Sequence, residues 1–345
     1  MKKRIFSFAL CVIMVIGILP VYAFAEDGLN DWTYNVLSEE EKTAEITGYN
    51  GTENELVFPE EIDGYTMVAV ADNAFKYNSL NSPEIYSITV PETYKRIGKY
   101  VFYGYGTLSN IELPHSLEYI GEFAFLLTDY YNNEICKNEQ NVVYIGEYCI
   151  SSQQGSDYSD LFPDSYTIKQ GTKLIATSAF FRADRLNKII IPNGVEYIND
   201  GAFFWCQSLK SVVIPNTVKN LGLYSFGMCR SLSAVVIPES VEYIDDLAFW
   251  NSGSGDLTIY GEANTVAEKY ATEHSLKFVK LKDVIYGDVD GDGVVSVNDY
   301  ASMKSCVLCA IEYEGENEII GDMNGDCVIE GFDLFHVDMA INGLA

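Results

Sequence analysis

Histidine is nearly absent from this chain. His115, His274 and His336 are the only three in 345 residues. That leaves little material for a histidine-based acid–base site or a multi-histidine metal site. Basic residues are scarce as well, at 22 Lys+Arg against 50 Asp+Glu. Nucleic-acid binding needs a basic patch to meet phosphate, so this balance argues against a nucleic-acid partner. No Gly-x-Ser-x-Gly elbow and no phosphate-binding loop occurs. Acids are abundant, but nothing singles out a pair suited to glycoside cleavage. Long apolar runs are missing too, with one exception at the start.

That exception is Ile5 to Leu19, preceded by Met1-Lys2-Lys3-Arg4 and followed by Ala23-Phe24-Ala25. A basic start, an apolar middle and a small-x-small end are the three parts of a secretory signal peptide, with cleavage expected after Ala25. The alternative is an uncleaved anchor, but a run of 15 residues is short for a membrane span. Cleavage leaves 19 Lys+Arg against 50 Asp+Glu. Such a chain suits a soluble extracellular setting and suits calcium. Seven cysteines remain: Cys136, Cys149, Cys206, Cys229, Cys306, Cys309 and Cys327. An odd count sits poorly with a disulfide framework. Small buried apolar residues are the simpler reading, with oxidised pairs as the alternative.

The middle of the chain is periodic. Ile189-Ile190-Ile191-Pro192, Val212-Val213-Ile214-Pro215 and Val235-Val236-Ile237-Pro238 place their prolines 23 residues apart. Ala202-Phe203, Ser225-Phe226 and Ala248-Phe249 keep the same step, as do the pairs Val195/Ile198, Val218/Leu221 and Val241/Ile244. Upstream, Ile88-Thr89-Val90-Pro91 and Ile111-Glu112-Leu113-Pro114 belong to the same series, and Phe75, Phe102, Phe125 and Phe180 extend the phenylalanine marker. A unit this short cannot bury its own apolar face, whereas stacked units can, each adding one strand to a parallel ladder. The alternating Ile-x-Ile stretch is the strand, and proline stops its pairing. Cys206 and Cys229 recur at one place in the unit, which reads as a core position for a small apolar side chain.

These residues resemble the BspA-like class of leucine-rich repeats. The resemblance covers roughly residues 31–280 and implies a curved solenoid, often with a role in surface binding or adhesion. It places Thr89, Glu112, Ile190, Val213 and Val236 on the concave face, where the row changes from polar to apolar along the array. That row is a possible ligand surface, for a polysaccharide or a protein, or else it is covered by neighbours.

The C-terminus carries a different signal. Asp288, Asp290, Asp292, Ser296 and Asp299 stand at positions 1, 3, 5, 9 and 12 of a loop with Gly293 at position 6. Calcium takes six to eight oxygens, and this spacing wraps them around one ion, with the backbone carbonyl of Val294 as a further ligand. A second loop begins 34 residues later with Asp322, Asn324, Asp326, Val328, Glu330 and Asp333. A helical run follows each loop. Paired loop–helix units ending in Asp resemble a type I dockerin, which implies a cohesin partner on a scaffold protein. The same resemblance assigns partner contacts to Val297, Asn298, Met303, Lys304 and Val307 in the first copy, and to Gly331, Phe332, Phe335, His336 and Met339 in the second. Two departures matter. Cys327 replaces the glycine of the second loop, so two calcium ions are expected with the second held more weakly. The pairs Val297-Asn298 and Gly331-Phe332 differ, so one docking orientation should be favoured. The Cys-x-x-Cys of Cys306 and Cys309 lacks further zinc ligands and a helix N-terminus, and core packing explains it best.

The expected fold is therefore a leucine-rich-repeat solenoid, a parallel strand ladder of about seven 23-residue units with caps, followed by a small all-α paired calcium-loop dockerin. The expected boundaries are a signal peptide at 1–25, a hairpin cap at 26–59, the solenoid at 60–280 with an insertion at 126–166, a linker at 281–286 and the dockerin at 287–345. The functional expectation is a secreted, non-catalytic binding subunit, docked on a cohesin-bearing scaffold and associated with polysaccharide degradation. An adhesin or cell-surface structural protein is the first alternative, and a cryptic glycoside hydrolase the second.

Overall fold

The computed structural model describes residues 31–77, 83–137, 142–150 and 162–281, together with residue 295. The signal peptide and both calcium loops lie outside the described residues. So do all the calcium ligands and cohesin contacts expected at 288–339.

Two ladders of short strands run along the molecule. The first is made by the Ile-x-Ile stretches. It comprises Glu55–Val57, Ser87–Thr89 and Asn110–Glu112, then Ser165–Thr167 beside Lys188–Ile190. It ends with Ser211–Val213, Ala234–Ile237, Thr258–Gly261 and Lys277–Lys280, all pairing in parallel. Seven of its nine strands are followed by a marker phenylalanine, and the last two continue the ladder past Phe249. The second ladder is made by the Tyr-Ile and Asn-Leu dipeptides on the return path, such as Tyr197–Ile198, Asn220–Leu221 and Tyr243–Ile244.

The core lies between the ladders. Ile189, Val212, Val235 and Ile259 point in from the first, and Ile198, Leu221 and Ile244 from the second. The marker phenylalanines stack in a column: Phe180, Phe203, Phe226 and Phe249 follow one another at 5.0–5.5 Å between ring centroids, with neighbouring planes within 8° of parallel. Each is nearly or fully buried. A fully buried phenylalanine removes roughly 1.5–3 kcal/mol of apolar surface cost from water. Beside this column the thiols of Cys206 and Cys229 donate to the carbonyls of Phe180 and Phe203, both at 3.2 Å. One unit later the hydroxyl of Ser252 makes the equivalent bond to Phe226 at 2.6 Å. The position thus takes a small side chain with a hydrogen to give. Among the described residues Cys149, Cys206 and Cys229 are in no disulfide.

Successive units approach closely on the second ladder. A Cβ on Gly98 would fall 2.6 Å from the backbone of Asp72, and one on Gly121 would fall 2.5 Å from that of Lys99. Only glycine lets the backbones meet at this spacing.

At the N-terminus Trp32–Ser38 and Thr43–Tyr49 form an antiparallel pair, and Trp32 packs its ring on Tyr49 and Phe58 at 4.8 Å. At the other end the helix Val266–Glu273 buries Ala267, Tyr270 and Ala271 against the last units. Among the described residues no helix is long and apolar enough to cross a membrane.

The segment between Phe125 and Ser165 interrupts the array. A helix, Asp129–Lys137, starts where the Thr128 hydroxyl accepts the Tyr131 amide at 3.1 Å. An antiparallel pair follows, Tyr144–Ile145 with Tyr148–Cys149, and its second strand joins Leu174–Ile175. The strand Tyr119–Ile120 ends the first half of the second ladder. Its free edge is met by a side chain. Asn199 accepts the Ile120 amide and donates to the Glu118 carbonyl, both at 3.0 Å, while the Thr177 amide donates to the Ile120 carbonyl at 3.0 Å. Two core clusters meet at this joint.

Candidate functional site

Strand alternation sends every second residue of the first ladder outward. Two outward rows result. In the N-terminal part they hold Glu55, Ser87 and Asn110, with Val57, Thr89 and Glu112 beside them. Apart from Val57 these positions are polar, and all six are exposed or half-exposed. Thr89 donates to Glu112 at 3.3 Å, Asn110 donates to Ser87 at 3.1 Å, and Val57 is 51 % exposed. In the C-terminal part the register aligns Ser211, Ala234, Thr258 and Lys277 in one row and Val213, Val236, Tyr260 and Val279 in the next. The five residues expected on the ligand face therefore fall into two groups. Thr89 and Glu112 lie together on the first, Ile190 is half-buried beside Thr167 on the strand before the second, and Val213 and Val236 sit inside an apolar cluster with Ala234 and Tyr260.

Tyr260 escapes the 23-residue count. Counting back by that step sets Ile259 against Val236 and sends Tyr260 inward, but the chain pairs Val236 with Tyr260. The short 3-10 turn Gly253–Gly255 supplies the extra residue. A slip of one residue reverses which side chains face the core. The signal was present in the sequence as the Ser-Gly-Ser-Gly stretch at 252–255.

A second surface lies on the flank that follows each marker phenylalanine. Phe181 stacks on Phe204 at 6.0 Å and 12°. Phe204 packs on Tyr224 at 5.5 Å and edge-on to Trp205 at 6.0 Å, and Tyr224 meets Trp250 at 5.6 Å. Phe181 is 37 % and Trp250 47 % exposed. The row crosses four units, and its middle is made possible by Gly227, whose absent Cβ would lie 3.0 Å from the Phe204 ring. Trp205 and Tyr224 hold left-handed backbone, with φ of 70° and 54°. The left-handed turn recurs at the same places in other units, held by Gly104 and Gly201 but also by Leu127, Arg182, Met228 and Asn251 after the marker and by Asn73, Tyr100, Phe123 and Ser178 before it. An aromatic residue in that conformation costs on the order of 1 kcal/mol relative to glycine. Periodicity alone did not single out this row, because its members sit at three different places in the unit.

The charged groups near both ladders form pairs rather than a reactive cluster. Lys219 meets Glu196 at 2.7 Å and Arg96 meets Asp72 at 2.7 Å. Burial raises the carboxyls of Asp200 and Glu122 above the usual range, and the Tyr119 hydroxyl donates to Asp200 at 3.4 Å. Among the described residues no three His, Cys, Asp or Glu side chains come together to hold a metal.

Comparison with known proteins fits this architecture. The BspA type leucine rich repeat region matches residues 68–159 and 158–279 in six copies, and the dockerin type I domain matches residues 286–342. No curated protein matches. Among solved structures, a leucine rich repeat protein of T. pallidum is 20 % identical over 72 % of this chain and 96 % of its own, with a TM-score of 0.27. A leucine rich cell surface protein of Faecalibacterium prausnitzii is 18 % identical over 66 % and 74 %, with a TM-score of 0.29. The pneumococcal vaccine antigen PcpA is 15 % identical over 73 % and 97 %, with a TM-score of 0.30. Proteins built from these two kinds of module are typically extracellular or surface-associated, and neither module is typically catalytic. A type I dockerin implies a cohesin partner and binds calcium. With its matched repeats spanning more than half of its length, the chain belongs to the BspA-type leucine-rich-repeat proteins and carries a C-terminal type I dockerin domain.

Proposed function

We propose that the protein is a secreted, non-catalytic binding subunit mounted by its calcium-loaded dockerin on a cohesin-bearing scaffold, where the repeat array holds a polysaccharide for neighbouring degradative enzymes. The observation that carries the ligand class is the exposed aromatic row from Phe181 to Trp250. Flat rings present an apolar face to the C–H face of a sugar, and a strand ladder repeats at about 4.8 Å, so successive rings can follow an extended chain.

The dockerin supplies the mounting. Asp288, Asp290, Asp292, Ser296 and Asp299, and in the second loop Asp322, Asn324, Asp326, Glu330 and Asp333, would hold two ions through oxygen donors, the donor set that a hard cation prefers. The carbonyls of Val294 and Val328 would complete the sets. Calcium would fix the helices that face cohesin, through Val297, Asn298, Met303, Lys304 and Val307 in one copy, or through Gly331, Phe332, Phe335, His336 and Met339 in the other.

The test is retention of the intact chain on insoluble plant polysaccharides and on immobilised cohesin. Glycan retention should fall at least tenfold in Phe204→Ala/Trp250→Ala and stay unchanged in chelator. Cohesin capture should be lost in chelator and in Asp288→Ala/Asp322→Ala. Retention on host or bacterial surface proteins but not on glycans would move the solenoid to the adhesin reading, and release of soluble sugar would overturn the non-catalytic one.

A further inference from the structure

The aromatic flank does not stop at the joint. Two residues before its marker, the unit of Phe102 carries Tyr100 and the unit of Phe125 carries Phe123, the place that Tyr224 takes before Phe226. Tyr103 directly follows Phe102, as Phe204 follows Phe203 and Trp250 follows Phe249. Tyr100 packs on Phe123 at 5.3 Å and on Tyr103 at 5.7 Å, and the exposed Lys76 ammonium lies 5.2 Å from the centre of the Tyr100 ring. Tyr100, Tyr103 and Phe123 are half-buried, as Phe204 and Tyr224 are.

Backbone bonds link the flank through both halves. The Tyr100 amide donates to the Glu122 carbonyl at 2.9 Å in the first half, and the Trp205 amide to the Gly227 carbonyl at 2.9 Å in the second. Between the halves the Thr177 amide donates to the Ile120 carbonyl at 3.0 Å, so the unit of Phe181 lies next to that of Phe123. The two aromatic groups therefore follow one another along one side of the array. Their chemistry is alike. Among the described residues no protein group meets the hydroxyl of Tyr100 or Tyr224, or the indole N–H of Trp205 or Trp250. Each of these rings offers an apolar face and an unengaged polar edge, and a sugar ring presents the same pairing in return. The apolar patch of a protein partner would bury those polar edges unpaired. Charge narrows the ligand further. Lys99 opposes Glu122 on this flank, and acids outnumber bases by 50 to 22 over the chain, a field that repels a polyanion.

We infer that Tyr100, Tyr103 and Phe123 form a second glycan platform, and that one uncharged, extended glycan chain lies across both this platform and the row from Phe181 to Trp250. The second platform rests on the glycan reading of that row and sets the length of ligand the flank takes. A pyranose with its linkage is about as long as one strand spacing, about 4.8 Å, so a short chain fills only the C-terminal row. A longer one reaches the N-terminal rings as an intramolecular second contact and binds more tightly without any change in chemistry. The Lys76 ammonium beside Tyr100 supplies a donor for sugar hydroxyls there.

Affinity electrophoresis of the full chain through gels that each hold one soluble polymer tests this, with mixed-linkage glucan, galactomannan and xylan as neutral probes and polygalacturonate as the acidic one. A neutral polymer should retard the unsubstituted chain, and polygalacturonate should not. Tyr100→Ala/Phe123→Ala and Phe204→Ala/Trp250→Ala should each weaken that retardation by roughly fivefold or more, with circular dichroism and a melting transition showing that each variant is folded. Calorimetry on the unsubstituted chain then compares a tetrasaccharide and an octasaccharide of the same polymer, and this decides alone if a variant fails to fold. The octasaccharide should bind on the order of tenfold tighter. Unchanged retardation in folded Tyr100→Ala/Phe123→Ala, or equal affinity for the two oligosaccharides, overturns the second platform and leaves the C-terminal row as the whole site. Retardation by polygalacturonate overturns the uncharged ligand. If no polymer retards the unsubstituted chain, the glycan reading of the row itself fails, and the second platform with it.

Discussion

Asn199 is the side chain on which the continuity of the array depends most directly. It stands at the place in the unit where Gly98, Gly121 and Gly222 let neighbouring backbones meet, but at the joint it reaches the edge of Tyr119–Ile120 instead. Replacing it by Ala removes the acceptor for the Ile120 amide and the donor to the Glu118 carbonyl, two bonds of 3.0 Å. Asn199 is 7 % exposed, so water does not readily take its place. Leaving a buried polar group unpartnered costs about 1–3 kcal/mol, and two such groups with some relaxation give about 2–4 kcal/mol. In a solenoid each unit contacts only its neighbours, so a weakened joint loosens the coupling between halves rather than either half. Urea unfolding should therefore lose its single transition and show two. Amide exchange at Ile120 and Thr177 should rise about thirty- to several-hundred-fold, at about 1.4 kcal/mol per tenfold. The control is Asn110→Ala, which breaks an exposed bond to Ser87 and should change stability by less than about 0.5 kcal/mol. If Asn199→Ala shifts stability no more than this control and leaves both amides protected, the joint is held by packing and the reasoning fails.

Three further outcomes are expected. Asp200 accepts the Leu223 amide at 3.0 Å, and burial raises its carboxyl above the ordinary aspartate value of about 3.9. A raised acid is favoured by the fold when protonated, so its stabilisation is present at low pH and fades as pH rises from that value through the folded one. Asp200→Asn keeps the acceptor and sheds the charge, and melting should show equal or higher stability at pH 7, with the gain over the unsubstituted chain growing as pH rises through the acid range. Phe203→Ala opens the phenylalanine column between Phe180 and Phe226 and should cost about 3–5 kcal/mol in denaturant unfolding, while Cys229→Ser, which keeps the donor, should cost far less. A non-glycine residue in left-handed backbone costs roughly 1 kcal/mol, so if the second loop needs that conformation at Cys327, Cys327→Gly should tighten its calcium binding about fivefold in calorimetry. Two equal affinities in the unsubstituted chain would remove that reasoning.

The sequence by itself determined the solenoid. Prolines, Val-x-x-Ile pairs and marker phenylalanines at one step require a stacked ladder, because a single unit has nowhere else to bury them. Spacing of oxygen side chains likewise pointed to a type I dockerin, and the family match over residues 286–342 bears that out. Three features depended on tertiary structure. The insertion ends in a joint clasped by Asn199, and its partners Glu118 and Ile120 lie 81 and 79 residues away, beyond any local pattern. The extra residue at Gly253–Gly255 sends Tyr260 outward, and only strand register reveals a slip of one. The aromatic row joins Phe204 and Trp250, which directly follow Phe203 and Phe249, to Tyr224, which lies two residues before Phe226. Periodicity says which residues return to the same side of a unit. Which neighbours they meet there is set by how the units stack and by where stacking is broken.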